Sequence, residues 1–323
     1  MTTLVTGGAG FLGSHLIHAL VQDGEHVIII DNLSTGHVRN LERAICSGRA
    51  TFVHADVAQS SAQLAAIVAK ASKRKLDRIY HLASPASPEA YGADPWGTLA
   101  ANGLGTMSLI ELALANGARF LFASTSEIYG DPLVHPQPET YFGNVDPIGP
   151  RSCYDEGKRF GEAAVAAGVR ARGLDGRLVR FFNCYGPAMD EADGRLIPQL
   201  VDAIRARRPL PIHGTGKQTR SMTYVDDAIE LLRIVMERPQ TILQPINVGN
   251  DDERSVEEIA RLLARVAGIA FEAQYLPGRE QDPQRRCPDL TLARTLGWAP
   301  STPLEEGLRA TYRWFCEDRL AYA

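Results

Sequence analysis

The stretch "TLVTGGAGFLGSHLIHALVQDG", residues 3–24, decides how the rest of the chain is read. A β-branched run ends at Thr6, and three glycines follow at GxxGxxG spacing, Gly7, Gly10 and Gly13. Apolar residues then recur at helical spacing until Gly24, so a strand passes through a tight turn directly into a helix. Gly7 permits the turn, Gly10 lets the backbone approach a pyrophosphate, and Gly13 lets helix and strand pack closely. A phosphate would sit on the positive end of that helix. Glycines alone would signal no more than a βα turn. Here "HVIIIDN" supplies a second strand ending in Asp31 at the distance expected of a ribose-binding acid. That acid accepts from ribose hydroxyls and repels a 2′-phosphate, which favours NAD over NADP. Phe11 and Leu12 between the glycines, Asn32 after Asp31, Asp56 with Val57, and Leu82 with Ala83 complete the expected cofactor wall.

Outward from this unit the chain alternates strand and helix. "ATFVHADV" and "LDRIYHLAS" read as strands with the helical "SAQLAAIVAKAS" between them. A long helix over 98–116 leads into the strand "RFLFASTS", then the helix around "YDEGKRFGEAAVAAGVRARG" leads into the strand "LVRFFNCYG". This pattern predicts an α/β fold: a Rossmann-type doubly wound parallel sheet with helices on both faces. After residue 184 the alternation weakens. We expect an NAD-binding domain over 1–183 and a smaller C-terminal α/β substrate-binding lobe over 184–323, with segments near 220–250 crossing back to the first. A ligand cleft then lies at the carboxyl ends of the strands.

Bulk properties narrow the function class. The chain has 323 residues, 45% of them hydrophobic and 22% charged, which suits a soluble two-lobed protein. A net charge of −4 gives no reason to expect nucleic acid or an anionic membrane as partner. The apolar runs read as too short to span a bilayer. The first strand begins almost at Met1, which leaves no room for a cleaved signal. Five cysteines without a CxxC pair argue for reduced thiols, no metal site and a cytoplasmic location.

"YDEGK" places Tyr154 and Lys158 on one face of a helix. A free phenol, at a pKa of about 10, is too weak a base at neutral pH. A neighbouring ammonium and a cationic nicotinamide would bring it down. The spacing alone is common by chance. Behind a GxxGxxG strand and a Ser/Thr strand end, it resembles the extended short-chain dehydrogenase/reductase family over essentially the whole chain. The resemblance implies Thr125 as the hydroxyl partner of Tyr154 and Lys158, all acting at a sugar C4 oxygen. It implies a structural role for Asn102 and pairing of the 98–116 helix and the Ala-rich "AAVAAG" helix with their mates in a homodimer.

Within that family, "HLASPASP", the 124–159 stretch beginning "STSEIYGDP", "FFNCYGP" and "DPQRRCPD" resemble the UDP-glucuronate decarboxylases (UDP-xylose synthases). The resemblance implies NAD-dependent loss of CO2 from a UDP-sugar oxidised at C4. It implies Ser126, Glu127 and Arg220 around C5, with Asn183 and Arg286 on the diphosphate. Taken alone, Arg220 would read as a second diphosphate ligand, and Tyr91 and Glu89, in the loop after "SPASP", are open to either a sugar contact or an ordinary loop role. Three roles are open to Glu127: binding a ring hydroxyl, steering a proton to C5, or repelling the substrate carboxylate. Taken alone, it would read as a turn cap. Two places depart from the pattern: Pro198 and Gln199 stand where Ser-Asn is usual, and His213 where an aromatic often stacks on the base. The rival readings are a nucleotide-sugar 4-epimerase, a 4,6-dehydratase, a decarboxylase that releases the 4-keto pentose, and a non-catalytic NAD sensor.

Overall fold

The computed structural model describes residues 1–278 and 283–317. Twelve strands appear among them: Thr2–Thr6 (β1), His26–Asp31 (β2), Ala50–His54 (β3), Arg78–His81 (β4), Arg119–Thr125 (β5), Gly176–Phe181 (β6), Asn183–Tyr185 (β7), Leu210–His213 (β8), Thr219–Tyr224 (β9), Pro245–Val248 (β10), Glu253–Ser255 (β11) and Ala273–Leu276 (β12). Seven of them form one sheet in the order β10-β6-β5-β4-β1-β2-β3, and every pairing is parallel. The order reverses at β1, which runs beside both β2 and β4. That reversal leaves a crevice above the carboxyl ends of the strands.

The central strands read as continuous apolar runs because helices cover both faces. Val5 and Ile29 point into one core layer with Leu16, Ile17 and Leu20 of the helix Phe11–Gln22. Leu4, Ile28 and Ile30 point into the other, against Leu64 and Leu109. The smaller lobe has its own core, built from Leu200, Val201, Ile212, Ile259, Leu263 and Trp314. Its two small sheets are β11-β9-β7 and β12-β8. The helix Val225–Glu237 and strand β10 pack into the first lobe, so the chain crosses between lobes more than once.

Three local features differ from the sequence reading. "LVRFFNCYG" is two strands, not one: β6 ends at Phe181 in the large sheet, and β7 begins at Asn183 beside β9. The chain changes sheets where it passes the crevice. The helix expected over 98–116 runs from Pro95 to Asn116 with a π-helical turn at Ala101–Gly105. Asn102, buried in that turn, donates to Ser84 Oγ and Thr98 O at 2.9 Å each. The third concerns the membrane. This 22-residue helix is long and apolar enough to cross a bilayer, contrary to expectation, yet 56% of its window is buried inside the fold. Packing against the helix Ser152–Arg172 and the sheet accounts for its apolar character.

Candidate active site

A cavity of about 690 Å³ lies in the crevice. Gly7, Gly10, Phe11, Leu12, Gly13, Asp31, Asn32, Asp56, Val57, Leu82 and Ala83 line one end of it. Thr125, Ser126, Glu127, Tyr154 and Lys158 lie on its wall, and Asn183, Arg220 and Arg286 close the side formed by the second lobe. Of the residues singled out in the sequence, Tyr91, Asn102 and Pro198 are not on the wall.

The glycine turn has the geometry a pyrophosphate needs. Gly7 has φ +72°, and a Cβ there would come within 2.6 Å of Ala83 N. A Cβ on Gly13 would meet Gly7 O at 2.2 Å, so strand and helix touch at that point. Gly10 is different. Its added Cβ would meet only Gly7 O, at 3.3 Å, and otherwise face open space. Gly10 is also the N-cap of the helix Phe11–Gln22 and provides no side-chain cap, so the first-turn N–H groups face the cavity. Asp31 accepts from Ala9 N and Leu33 N at 2.8 Å each, which turns its carboxylate towards the cavity. Burial raises its pKa, and the two backbone N–H groups oppose that rise. Asn32 donates to Asp56 at 2.7 Å and ties the second strand end to the third.

Beyond this cradle, β5 delivers Thr125 beside Tyr154. Both are buried. Burial pushes the Tyr154 phenol above its ordinary value, while a hydrogen bond with Thr125 pulls it back down. The low phenol pKa expected from sequence is therefore not set by the folded chain alone. Lys158 lies one turn along, its Nζ 5.7 Å from the Tyr154 ring centroid and donating to Ala123 O at 2.8 Å. Burial brings its pKa down to about 7. Tyr91 stacks on Tyr154 with ring centroids 5.1 Å apart and planes within 9°. It is a backing for the phenol, not the sugar contact the sequence allows. Glu89, the second residue of the short helix Pro88–Ala93 that also carries Tyr91, does reach the cavity, with its carboxylate against Gly194.

Glu127 follows in the turn Ser126–Tyr129 and is gripped from two sides. Arg286 donates to both of its oxygens, at 2.5 and 2.9 Å, and Arg151 donates to Oε2. Burial would raise the carboxyl pKa, but Arg286 and Arg151 outweigh it and hold Glu127 well below the usual carboxylate range. It is an ionised acceptor that cannot donate a proton in this arrangement. Arg286, expected on the diphosphate, is spent on Glu127 here. Arg220, expected beside Glu127, donates to the carbonyls of Thr219 and Pro283 at 2.7 and 2.9 Å. Behind Arg151 lies Asp155, whose carboxyl is pushed up by burial and by the Glu127 charge, with Arg151 and Arg286 opposing.

Sequence reasoning passed over Arg151 and Arg195. Arg195 lines the cavity and pairs with Asp193. Its positive charge acts on Tyr154 to lower the phenol pKa. Arg151 stands three residues before Tyr154 and Arg195 three before Pro198, each a cation beside a motif, which was the available signal. Asn183 presents a buried Oδ1 without a hydrogen-bond partner. Gln199 and His213, the two departures that touch the cavity, line its far end.

The glycine cradle, Asp31 and the Thr125–Tyr154–Lys158 cluster now stand in one cavity, and the profile of the NAD dependent epimerase/dehydratase family matches residues 3–249. The chain belongs to that family. NAD is the cofactor for which the cradle is built, consistent with its place in the epimerase/dehydratase family. UDP-glucuronic acid decarboxylase 1 of Xenopus tropicalis is 43% identical over 316 residues, covering 98% of this chain and 72% of that protein. Among solved structures, the UDP-glucose 4-epimerase of Thermotoga maritima with UDP-glucose is 31% identical, with a TM-score of 0.89 and 98% coverage of both chains. A dTDP-glucose 4,6-dehydratase from Streptomyces venezuelae with NAD bound is 28% identical, with a TM-score of 0.87, covering 99% of this chain and 98% of that one. Membership in the epimerase/dehydratase family accounts for the seven-stranded parallel sheet and the cavity above it.

Proposed function

We propose that this chain converts UDP-glucuronate to UDP-xylose and CO2 with no net redox change, retaining NAD through the cycle. The observation that carries this reading is the 43% identity, across nearly the whole chain, to a relative named as a UDP-glucuronic acid decarboxylase. The paired Glu127 beside the Thr125–Tyr154 cluster supports it.

Bound NAD supplies the oxidation at C4 and, once reduced, the reduction that closes the cycle. Tyr154 takes the C4 hydroxyl proton, with Thr125 hydrogen-bonded to the same oxygen. Lys158, Arg195 and the cationic cofactor offset the burial that raises the phenol pKa. Once C4 is a ketone, the C5 carboxylate is β to it. The C–C bond breaks, CO2 leaves, and the electron pair passes into the C4 oxygen as an enolate. Thr125 and Tyr154 are the donors already placed at that oxygen. A proton then returns to C5 before C4 is reduced.

Arg151 and Arg286 outnumber the Glu127 charge they grip, which leaves this wall positive and suited to a carboxylate and a diphosphate in one substrate. In this reading Ser126 and Arg220 position the sugar around C5. Asn183 donates to the diphosphate, and Arg286 divides its time between that group and Glu127. Glu127 holds the arginines in register and accepts from a ring hydroxyl. The test is release of CO2 from UDP-glucuronate with recovery of a UDP-pentose. Conversion to a UDP-hexuronate epimer without CO2 would replace this reading with 4-epimerase.

The chain is also proposed to be a cytoplasmic homodimer. Leu104, Met107 and Phe160 are about half exposed on adjoining helices, and Ala163 and Ala167 continue the exposed face. Small residues there allow a second pair of helices to approach closely. Five free cysteines are at home in a reducing compartment. Light scattering should give twice the chain mass at micromolar concentration. A monomer mass there would remove the dimer.

A further inference from the structure

Away from the cofactor cradle, His135, Glu253 and Cys287 converge so that one ligand atom from each lies within 4.8 Å of the others. They come from three segments: the loop after the Glu127 turn, the first residue of β11, and the run that carries Arg286. A cation is already drawn to this spot. Arg285 donates from Nη2 to His135 Nε2 at 2.6 Å and to Glu253 Oε2 at 3.0 Å, and from Nε to Glu253 Oε1 at 3.2 Å. His135 Nε2 also lies 3.0 Å from Glu253 Oε2, so one ring nitrogen, the carboxylate and the guanidinium meet at a single point. Thr219 donates its hydroxyl to Glu253 and fixes the carboxylate. His135 lies at the surface with its side chain 25% exposed, that of Glu253 is 18% exposed and Cys287 is buried, whereas the Arg285 side chain is 57% exposed and able to swing into solvent.

We propose that His135, Glu253 and Cys287 form a binding site for a borderline-soft divalent cation, of which Zn²⁺ is the best match, and that Arg285 is the cation it displaces. Imidazole, carboxylate and thiolate are together the donor set of zinc, and a hard ion such as Mg²⁺ would not select a thiolate. Three protein ligands leave a fourth position for water. Binding converts the Cys287 thiol to thiolate and releases its proton to solvent. The consequence is a clasp. It fastens the segment bearing Arg286 to the loop following Glu127 and to β11, whose Arg254 is paired in register with Arg220.

The probe is Co²⁺, titrated into the NAD-loaded full-length protein, because a cobalt–thiolate bond gives a charge-transfer absorbance. One equivalent should produce that band, and Zn²⁺ should erase it. Cys287→Ser should abolish the band with the melting temperature retained, and Cys46→Ser, at an exposed thiol, should leave it intact. Arg285→Ala should tighten the metal by at least about tenfold, because a competing charge has gone. An adventitious surface site would not respond to that variant. A band surviving Cys287→Ser, no band at all, or an affinity unchanged in Arg285→Ala overturns the proposal.

Discussion

Replacing Glu127 by Gln keeps the shape of the side chain and removes its charge. Arg151 and Arg286 then face each other across a neutral amide, with the Glu127 and Arg151 side chains 15% exposed and that of Arg286 7%. Breaking a buried pair by removing one partner costs about 3–5 kcal/mol. The amide oxygen still accepts one hydrogen bond, so the low end, about 3 kcal/mol, is expected. Unfolding entropy of about 2.1 cal/mol/K per residue gives about 0.7 kcal/mol/K for this chain, and hence a melting temperature lower by about 4 °C. The sign of the pH dependence follows from the direction of the shift. A carboxyl held below its ordinary value contributes stability that is fully present above its unfolded pKa of about 4.3 and is lost as pH falls through the folded value. The gap between wild type and Glu127→Gln should stay constant from pH 8 to 5 and close in more acidic solution.

The same variant should leave C4 oxidation intact and slow the carbon-5 steps by about 10²-fold, because the arginines that Glu127 holds are displaced from the reacting carbon. Single-turnover absorbance on adding UDP-glucuronate should then show reduced cofactor accumulating. Tyr154→Phe, which loses the base, should show none. If Glu127→Gln keeps its melting temperature and decarboxylates at the normal rate, the carboxylate neither organises the arginines nor serves C5, and the reasoning fails.

Two further outcomes follow from named atoms. Lys158 is buried with its pKa brought down to about 7, so below that pH its charged form costs stability and the cost lifts as pH rises. Denaturant unfolding of wild type relative to Lys158→Met should therefore gain about 1.4 kcal/mol per pH unit between pH 7 and 10, and a falling difference would mean the ammonium is well solvated or paired. Gly13→Ala puts a Cβ 2.2 Å from Gly7 O, which forces the turn to shift. It should cost about 1–3 kcal/mol of stability and release NAD on gel filtration, and a variant that retains NAD stoichiometrically would contradict the close packing of strand and helix.

Much of this site was legible because its signals are local. The glycine turn, Asp31 at the next strand end and the Tyr154–Lys158 helix spacing each depend on a few consecutive residues. Period and turn chemistry report such units directly. The parallel sheet followed from alternation for the same reason. What stayed hidden depends on partners chosen across the fold. Arg286 meets Glu127 from 159 positions away, and no periodicity states which of several arginines does so. Tyr91 reads as a loop residue near the sugar, but the stacking that places it behind Tyr154 exists only once two helices are docked. "LVRFFNCYG" has uniform strand character, and only the sheet edge decides where it divides. The π turn around Asn102 is a backbone register within a sequence that reads as uninterrupted helix.

Proton NMR of the product formed from UDP-glucuronate tests the central claim most directly, with the protein as purified and no added dinucleotide. The expected spectrum is that of a UDP-pentose with the C4 hydroxyl restored and two protons on C5, formed over many turnovers without net change in cofactor absorbance. A UDP-hexuronate epimer, or a 4-keto pentose accompanied by stoichiometric NADH, would contradict it.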